Sequence, residues 1–139
     1  MKILIVDDER SIRNSLKEIL SDEGYDVDVA EDGATALAMV DKERYNVIFC
    51  DIKMPGMDGT EVLHKMVAEG IDSAIVMISG HGDIDTAVEC IKKGAFDFIQ
   101  KPLDLNRILR EGYDNLREQD SEKEGLRPTD DRGVRAYPA

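Results

Sequence analysis

Three carboxylates stand where apolar runs of this chain give way to polar sequence. Asp7 and Asp8 follow Ile3-Leu-Ile-Val6, and Asp51 follows Val47-Ile-Phe-Cys50. Ser79 closes a further apolar run and Lys101 comes just after another, so a hydroxyl and an ammonium share their placement. If the runs are neighbouring strands, all five groups meet at one edge of a sheet. Two carboxylates about 4 Å apart repel by roughly 4 kcal/mol at an effective dielectric of about 20, so three need a compensating cation. Oxygen donors without His or Cys favour a hard ion, and an open site that keeps waters and awaits a phosphate suits Mg²⁺. With Ser79 and Lys101 on the same rim this is a phosphoryl site: cations offset charge on the equatorial oxygens while Asp51 attacks as nucleophile, giving an aspartyl phosphate. The plainer alternative for Asp7 and Asp8 is that they sit at the start of a helix beginning near Glu9, where acids are at home.

The elements that must position these groups can be read from periodicity. Five strand-like runs, Ile3–Val6, Asp26–Ala30, Val47–Cys50, Ala74–Ile78 and Phe96–Ile99, alternate with helical patterns, which predicts βαβ units and a parallel sheet. The first, third and fourth are continuously apolar, as strands covered on both faces are; the second alternates, as an edge strand does. The helices carry apolar stripes: Ile12, Leu16, Ile19 and Leu20; Val62, Leu63, Met66 and Val67; Ile84, Ala87, Val88 and Ile91; and Leu105, Ile108, Leu109 and Leu116. The helix between Gly33 and Glu43 rests on Ala34, Leu37, Ala38 and Val40. Asp83 and Asp104 are expected to cap the fourth and fifth helices, and every stripe is read as a core face. The fold class expected is a doubly wound, flavodoxin-like α/β sheet of order 2-1-3-4-5 with helices on both faces. Its switch point would bring Asp7, Asp8 and Asp51 together.

Composition narrows the function classes. At 139 residues with 42% apolar content the chain suits a single domain, expected over 1–118, with 119–139 a disordered linker or appended tail. A net charge of −12 and a pI near 4.5 argue against direct nucleic-acid binding, which needs clustered Lys and Arg. The opening apolar run is too short for a signal peptide or a membrane span, so a cytoplasmic protein without membrane contact is expected. Cys50 and Cys90 lie in apolar faces without CxxC spacing and are expected to be reduced core residues.

Taken together, Ile-Val-Asp7-Asp8-Glu, Asp51-Ile-Lys-Met-Pro-Gly-Met-Asp-Gly59, Met-Ile-Ser79-Gly80 and Lys101-Pro102 resemble the receiver domain of bacterial two-component response regulators, the CheY-like family, over about Met1 to Leu116. The resemblance implies that Asp51 accepts a phosphoryl group from a sensor histidine kinase. It implies Mg²⁺ held by Asp8, Asp51 and the backbone carbonyl of Lys53, with Asp7 acting through water. It also implies that Ser79 and Lys101 bind the phosphate, and that Phe98 rotates as the face of the fourth helix, fifth strand and fifth helix switches. That face would pair with another receiver, as a homodimer, or with an output domain. Lys101-Pro-Leu-Asp-Leu-Asn-Arg-Ile-Leu109 is further similar to receivers that head AAA+ transcription activators of the nitrogen-regulation type. In that reading the protein is a signalling receiver, catalysing only its own phosphorylation and dephosphorylation, and the output is transcriptional.

Two rival chemistries fit less well. A haloacid-dehalogenase-type phosphohydrolase would want an acid two residues after the nucleophile, where Lys53 stands, and Gly80-His-Gly82-Asp-Ile-Asp85 lacks the third glycine of a dinucleotide fingerprint. The resemblance further implies that the residues two positions after Asp51 and Ser79, here Lys53 and His81, flank the path of an attacking water. Neither is a carboxylate or amide that would orient that water, so a slowly decaying phosphate is expected.

Overall fold

In the computed structural model the described residues are 1–104 with Asn106, Ile108 and Leu109, and among them five strands alternate with four helices. The strands are β1 (Lys2–Val6), β2 (Asp26–Ala30), β3 (Val47–Asp51), β4 (Ala74–Ser79) and β5 (Asp97–Gln100). The helices are α1 (Arg10–Asp22), α2 (Gly33–Lys42), α3 (Gly59–Ala68) and α4 (Ile84–Lys92). All strand pairs are parallel and the order is β2-β1-β3-β4-β5, the order expected. Most of the helix expected after Asp104, the boundary expected at 118 and the 119–139 tail lie outside the described residues. Met1–Asp104 forms one compact unit.

Two-residue periodicity sorts the sheet's side chains into two layers. Leu4, Val6, Ile48, Cys50, Ile75 and Met77 share one face and join the buried residues of α2, α3 and α4 in a single cluster. Ile3, Ile5, Val47, Phe49, Val76 and Ile78 occupy the opposite face, where α1 packs on β1 and β2 through Leu16 and Leu20. The edge strand β2 alternates only in part: Asp26 is exposed and Val27 buried, but Asp28 and Val29 are both half-buried and Ala30 is buried. Cys50 and Cys90 are buried and free, in keeping with the expected role, and burial pushes both thiols up in pKa.

Three helix readings need correction. In α2 the buried positions are Gly33, Ala36 and Val40, while Ala34 and Ala38 face solvent. Gly33 is drawn inward because α3 crosses close by: a Cβ there would lie 2.6 Å from Val62 Cγ2. In α3, Val67 is exposed, and in α4, Ala87 and Cys90 take the inner row while Ile84, Val88 and Ile91 are exposed. Asp83 sits at the N-terminal flank of α4 but makes no side-chain cap. Strand β5 starts one residue late, at Asp97, where pairing with Val76 begins.

Candidate functional site

Each site residue owes its place to a strand end. Asp51 is the last residue of β3, opposite Ile78 in register, and is only 3% exposed. Asp7 comes directly after β1; its N–H donates to the Ala30 carbonyl at 3.2 Å, which extends the β1–β2 ladder by one residue and holds it under the sheet edge. Asp8 turns outward and is exposed. The carboxylates of Asp7, Asp8 and Asp51 each offer an oxygen within 4.8 Å of the others, so the convergence expected from the strand order is present. Ser79 ends β4 and is fully buried, and the N–H of Lys101 donates to its carbonyl at 2.8 Å. The Lys101–Pro102 peptide is cis.

The lysine side chain reaches across the carboxylates. Its Nζ lies 3.5 Å from Asp51 Oδ2, 3.5 Å from Glu9 Oε1 and 4.0 Å from Asp7 Oδ2. Burial works against its charge, but Asp51, Asp7 and Glu9 together hold its pKa above the ordinary value. Burial, and then the charge of Asp7, push the Asp51 carboxyl up to about 6, against the lowering effects of Lys101 and the Lys53 backbone N–H. Burial likewise raises Asp7. One ammonium therefore does not suffice to stabilise the ionised cluster.

The polar atoms left over indicate what the cluster lacks. Asp7 Oδ1 accepts the Glu9 N–H at 2.8 Å, whereas Asp7 Oδ2 and Ser79 Oγ are buried without a hydrogen-bond partner among the described residues. A buried group of this kind is costly unless a ligand satisfies it. Three carboxylates, one with an orphaned oxygen, are an oxygen-only donor set that fits a hard divalent cation, and the orphaned hydroxyl of Ser79 ends the strand next to β3. The alternative role for Asp7 and Asp8 as helix caps holds only in part. Asp7 binds the Glu9 N–H, but the flanking residue of α1 is Glu9 itself, with no side-chain cap.

The β3–α3 loop is shaped by its glycines and by Asp58. Gly56 takes φ +75°, which a side chain would resist. The Gly59 N–H donates to the Ile52 carbonyl at 2.7 Å, and a Cβ on Gly59 would collide with the Asp51 carbonyl oxygen. Asp58 Oδ1 caps α3 by accepting the Glu61 N–H at 3.0 Å. The loop opens on a cleft of about 500 Å³ lined by Lys53, Met54, Thr60 and Thr86 among others.

Lys53 and His81 are exposed at the rim, and Phe98 is half-buried against the core cluster. Three partners were not anticipated from the sequence. Glu9 shares Lys101, Arg13 donates from its guanidinium to the Asp7 carbonyl at 2.8 Å, and Asp83 lies 3.5 Å from Lys53 Nζ. Glu9 could have been found as the third acid of Asp-Asp-Glu; the other two are contacts between separate segments with no local signal.

Comparison with known proteins agrees with this geometry. The sequence model described as response regulator receiver domain matches residues 3–112. The nitrogen assimilation regulatory protein NtrX of Azorhizobium caulinodans is 48% identical over 109 residues, 77% of this chain and 24% of that protein. The C4-dicarboxylate transport transcriptional regulatory protein DctD of Rhizobium meliloti is 34% identical, over 78% of this chain and 24% of its own length. The chain thus spans about a quarter of these relatives. Among solved structures, the receiver domain of NtrX from Brucella abortus superposes with a TM-score of 0.78 at 40% identity, covering 83% of this chain and 98% of that one.

Proposed function

The chain belongs to the response regulator receiver domain family, and from that premise we propose that Asp51 is its phosphoacceptor, charged by a sensor histidine kinase. The observation that carries this reading is a nearly buried carboxylate, Asp51, set between two further carboxylates and a lysine, beside the unpartnered hydroxyl of Ser79. In the step proposed, an ionised Asp51 oxygen attacks the phosphorus of a phosphohistidine in line. The P–N bond breaks, and its electron pair returns to the imidazole. Lys101 then pairs with a phosphoryl oxygen, and Ser79 Oγ donates to another. Mg²⁺, when bound, supplies the charge that lets the carboxylates and the phosphate coexist. The ligands we assign are Asp8, Asp51 and the Lys53 backbone carbonyl, with Asp7 acting through water.

Drawing Ser79 inward vacates space behind it, into which Phe98 turns, so that the face carrying α4 and β5 changes. That face then binds a second receiver or an output domain. DctD is by name a transcriptional regulator, and NtrX a regulator of nitrogen assimilation. An output domain of the AAA+ transcription-activator kind is the matching proposal here, with this chain contacting no nucleic acid itself. The reading places the protein in the cytoplasm; among the described residues no helix is long and apolar enough to cross a membrane. Lys53 and His81 shield the phosphate from water, which gives a lifetime of minutes or longer.

The test is radiolabel transfer from acetyl phosphate in the presence and absence of Mg²⁺. One hydroxylamine-labile phosphate per chain, absent from Asp51→Asn, is expected. Stoichiometric labelling of the Asn variant, or steady hydrolysis of unrelated phosphate esters, would overturn the assignment.

A further inference from the structure

Asp83 occupies the position from which an aspartate ordinarily caps a helix, yet its side chain bonds no N–H of α4. Its carboxylate instead turns back across the mouth of the site, with Oδ1 3.5 Å from Lys53 Nζ. The loop is built for that posture. The Asp83 N–H donates to the Gly80 carbonyl at 3.2 Å, Gly82 takes φ +89°, and a Cβ on Gly80 would come within 3.1 Å of Asp83 Oδ2. Asp83 is only 8% exposed, whereas the Lys53 side chain is 78% exposed, so the lysine is the solvent-facing member of the pair. The ion pair directly links the loop after Asp51 to the loop between Ser79 and α4.

We infer that Lys53 is a shared counter-ion, paired with Asp83 while Asp51 is unmodified and with the phosphoryl group afterwards, so that phosphorylation releases Asp83 to cap α4. The inference rests on Asp51 being the phosphoacceptor and adds a positioning residue, Asp83, that never touches the phosphate. A phosphoryl group two residues from Lys53 carries close to two negative charges, against one on Asp83, and so competes for the same ammonium. Because the lysine is exposed, the pair is weak enough to be exchanged. A released carboxylate then lies at the N-terminal flank of α4, whose first turn it does not cap in the unmodified chain, so the charge change at Asp51 reaches the helix that bears the exposed apolar row.

The test is a double-variant cycle on the full chain with Asp83→Asn, Lys53→Gln and both. Asn retains the capacity to cap but cannot hold the lysine. Beryllofluoride affinity with Mg²⁺ is read by calorimetry, and phosphate loss by single-turnover decay. Asp83→Asn is expected to tighten beryllofluoride about threefold and to slow phosphate loss by a similar factor, the scale of an exposed ion pair. In the Lys53→Gln background the same change should do almost nothing. Equal effects in both backgrounds, or none in either, overturn the shared counter-ion. A wild-type chain that takes up neither phosphate nor beryllofluoride overturns the phosphoacceptor reading as well, and so the two failures are distinct.

Discussion

At the scale of single residues the site stores unfavourable electrostatics that a ligand relieves. The folded pKa of Asp51 is about 6, raised from 3.8 first by burial and then by Asp7. A carboxyl that binds its proton more tightly when folded contributes stability below pH 4, and this is lost as pH rises through about 6. The loss is of order 3 kcal/mol at 1.4 kcal/mol per unit. In chelator, therefore, Asp51→Asn should be more stable than the wild type at pH 7.5 by about 1–3 kcal/mol, seen as a higher melting point, with the gap closing toward pH 5. If Asp51 is a Mg²⁺ ligand as proposed, the ion competes with that proton, and its affinity should fall as pH drops through about 6. Thermal melts from pH 5 to 8, with and without Mg²⁺, check both; equal chelated melting points at pH 7.5 would refute the first. Lys101→Met removes the ammonium 3.5 Å from Asp51, and its expected result is a still higher Asp51 pKa and phosphate uptake at least tenfold slower, read by radiolabel transfer.

Elements position those residues through close backbone approaches. Replacing a first-turn helical glycine by alanine usually stabilises a helix by about 1 kcal/mol. For Gly59 the sign should reverse, because the new Cβ would strike the Asp51 carbonyl oxygen and lie 2.8 Å from Ile52 Cα. Gly59→Ala is expected to cost about 1–3 kcal/mol and, by displacing Asp51, to slow phosphate uptake. Gly56→Ala meets open space and only resists φ +75°, so it should cost about 1 kcal/mol and leave uptake intact. Denaturant unfolding and phosphotransfer on the two variants separate these outcomes. The contrast also marks what the sequence could carry. The central places of β1, β3 and β4 were legible because continuous apolar runs mean strands covered on both faces, and the convergence of Asp7, Asp8 and Asp51 followed once β1 and β3 were taken as neighbours, as in a doubly wound sheet. The inner row of α4 was not, since Ile84, Val88 and Ile91 recur at the same helical spacing as a core face. Which of two adjacent rows meets the sheet was decided by packing, in favour of Ala87 and Cys90. Tyr45 was missed as core for a related reason. It precedes β3, outside any periodic run, and is buried because its hydroxyl can donate to Asp28 at 2.7 Å.

For the whole molecule, the proposed phosphate on Asp51 would have to reach a surface able to change association. Ile84, Val88 and Ile91 stand 37%, 42% and 38% exposed at i, i+4 and i+7 of α4, a row a lone chain has no reason to keep apolar. The row adjoins the loop that Ser79 and Asp83 anchor, so a shift at the site alters its presentation without breaking the sheet. We predict that beryllofluoride with Mg²⁺ raises the sedimenting mass of the wild-type chain toward that of a dimer at tens of micromolar. Val88→Glu places a charge in the middle of that row, where burial against a second copy would leave it unpaired at a cost of several kcal/mol. The variant should thus stay monomeric with beryllofluoride while taking up phosphate at the wild-type rate, since Val88 touches none of the site groups. A variant that still dimerises would move the association surface off α4. One that loses phosphate uptake as well would mean that the site and the α4 row are coupled in both directions, with the row supporting the geometry of Ser79 and Asp83 before any phosphate arrives.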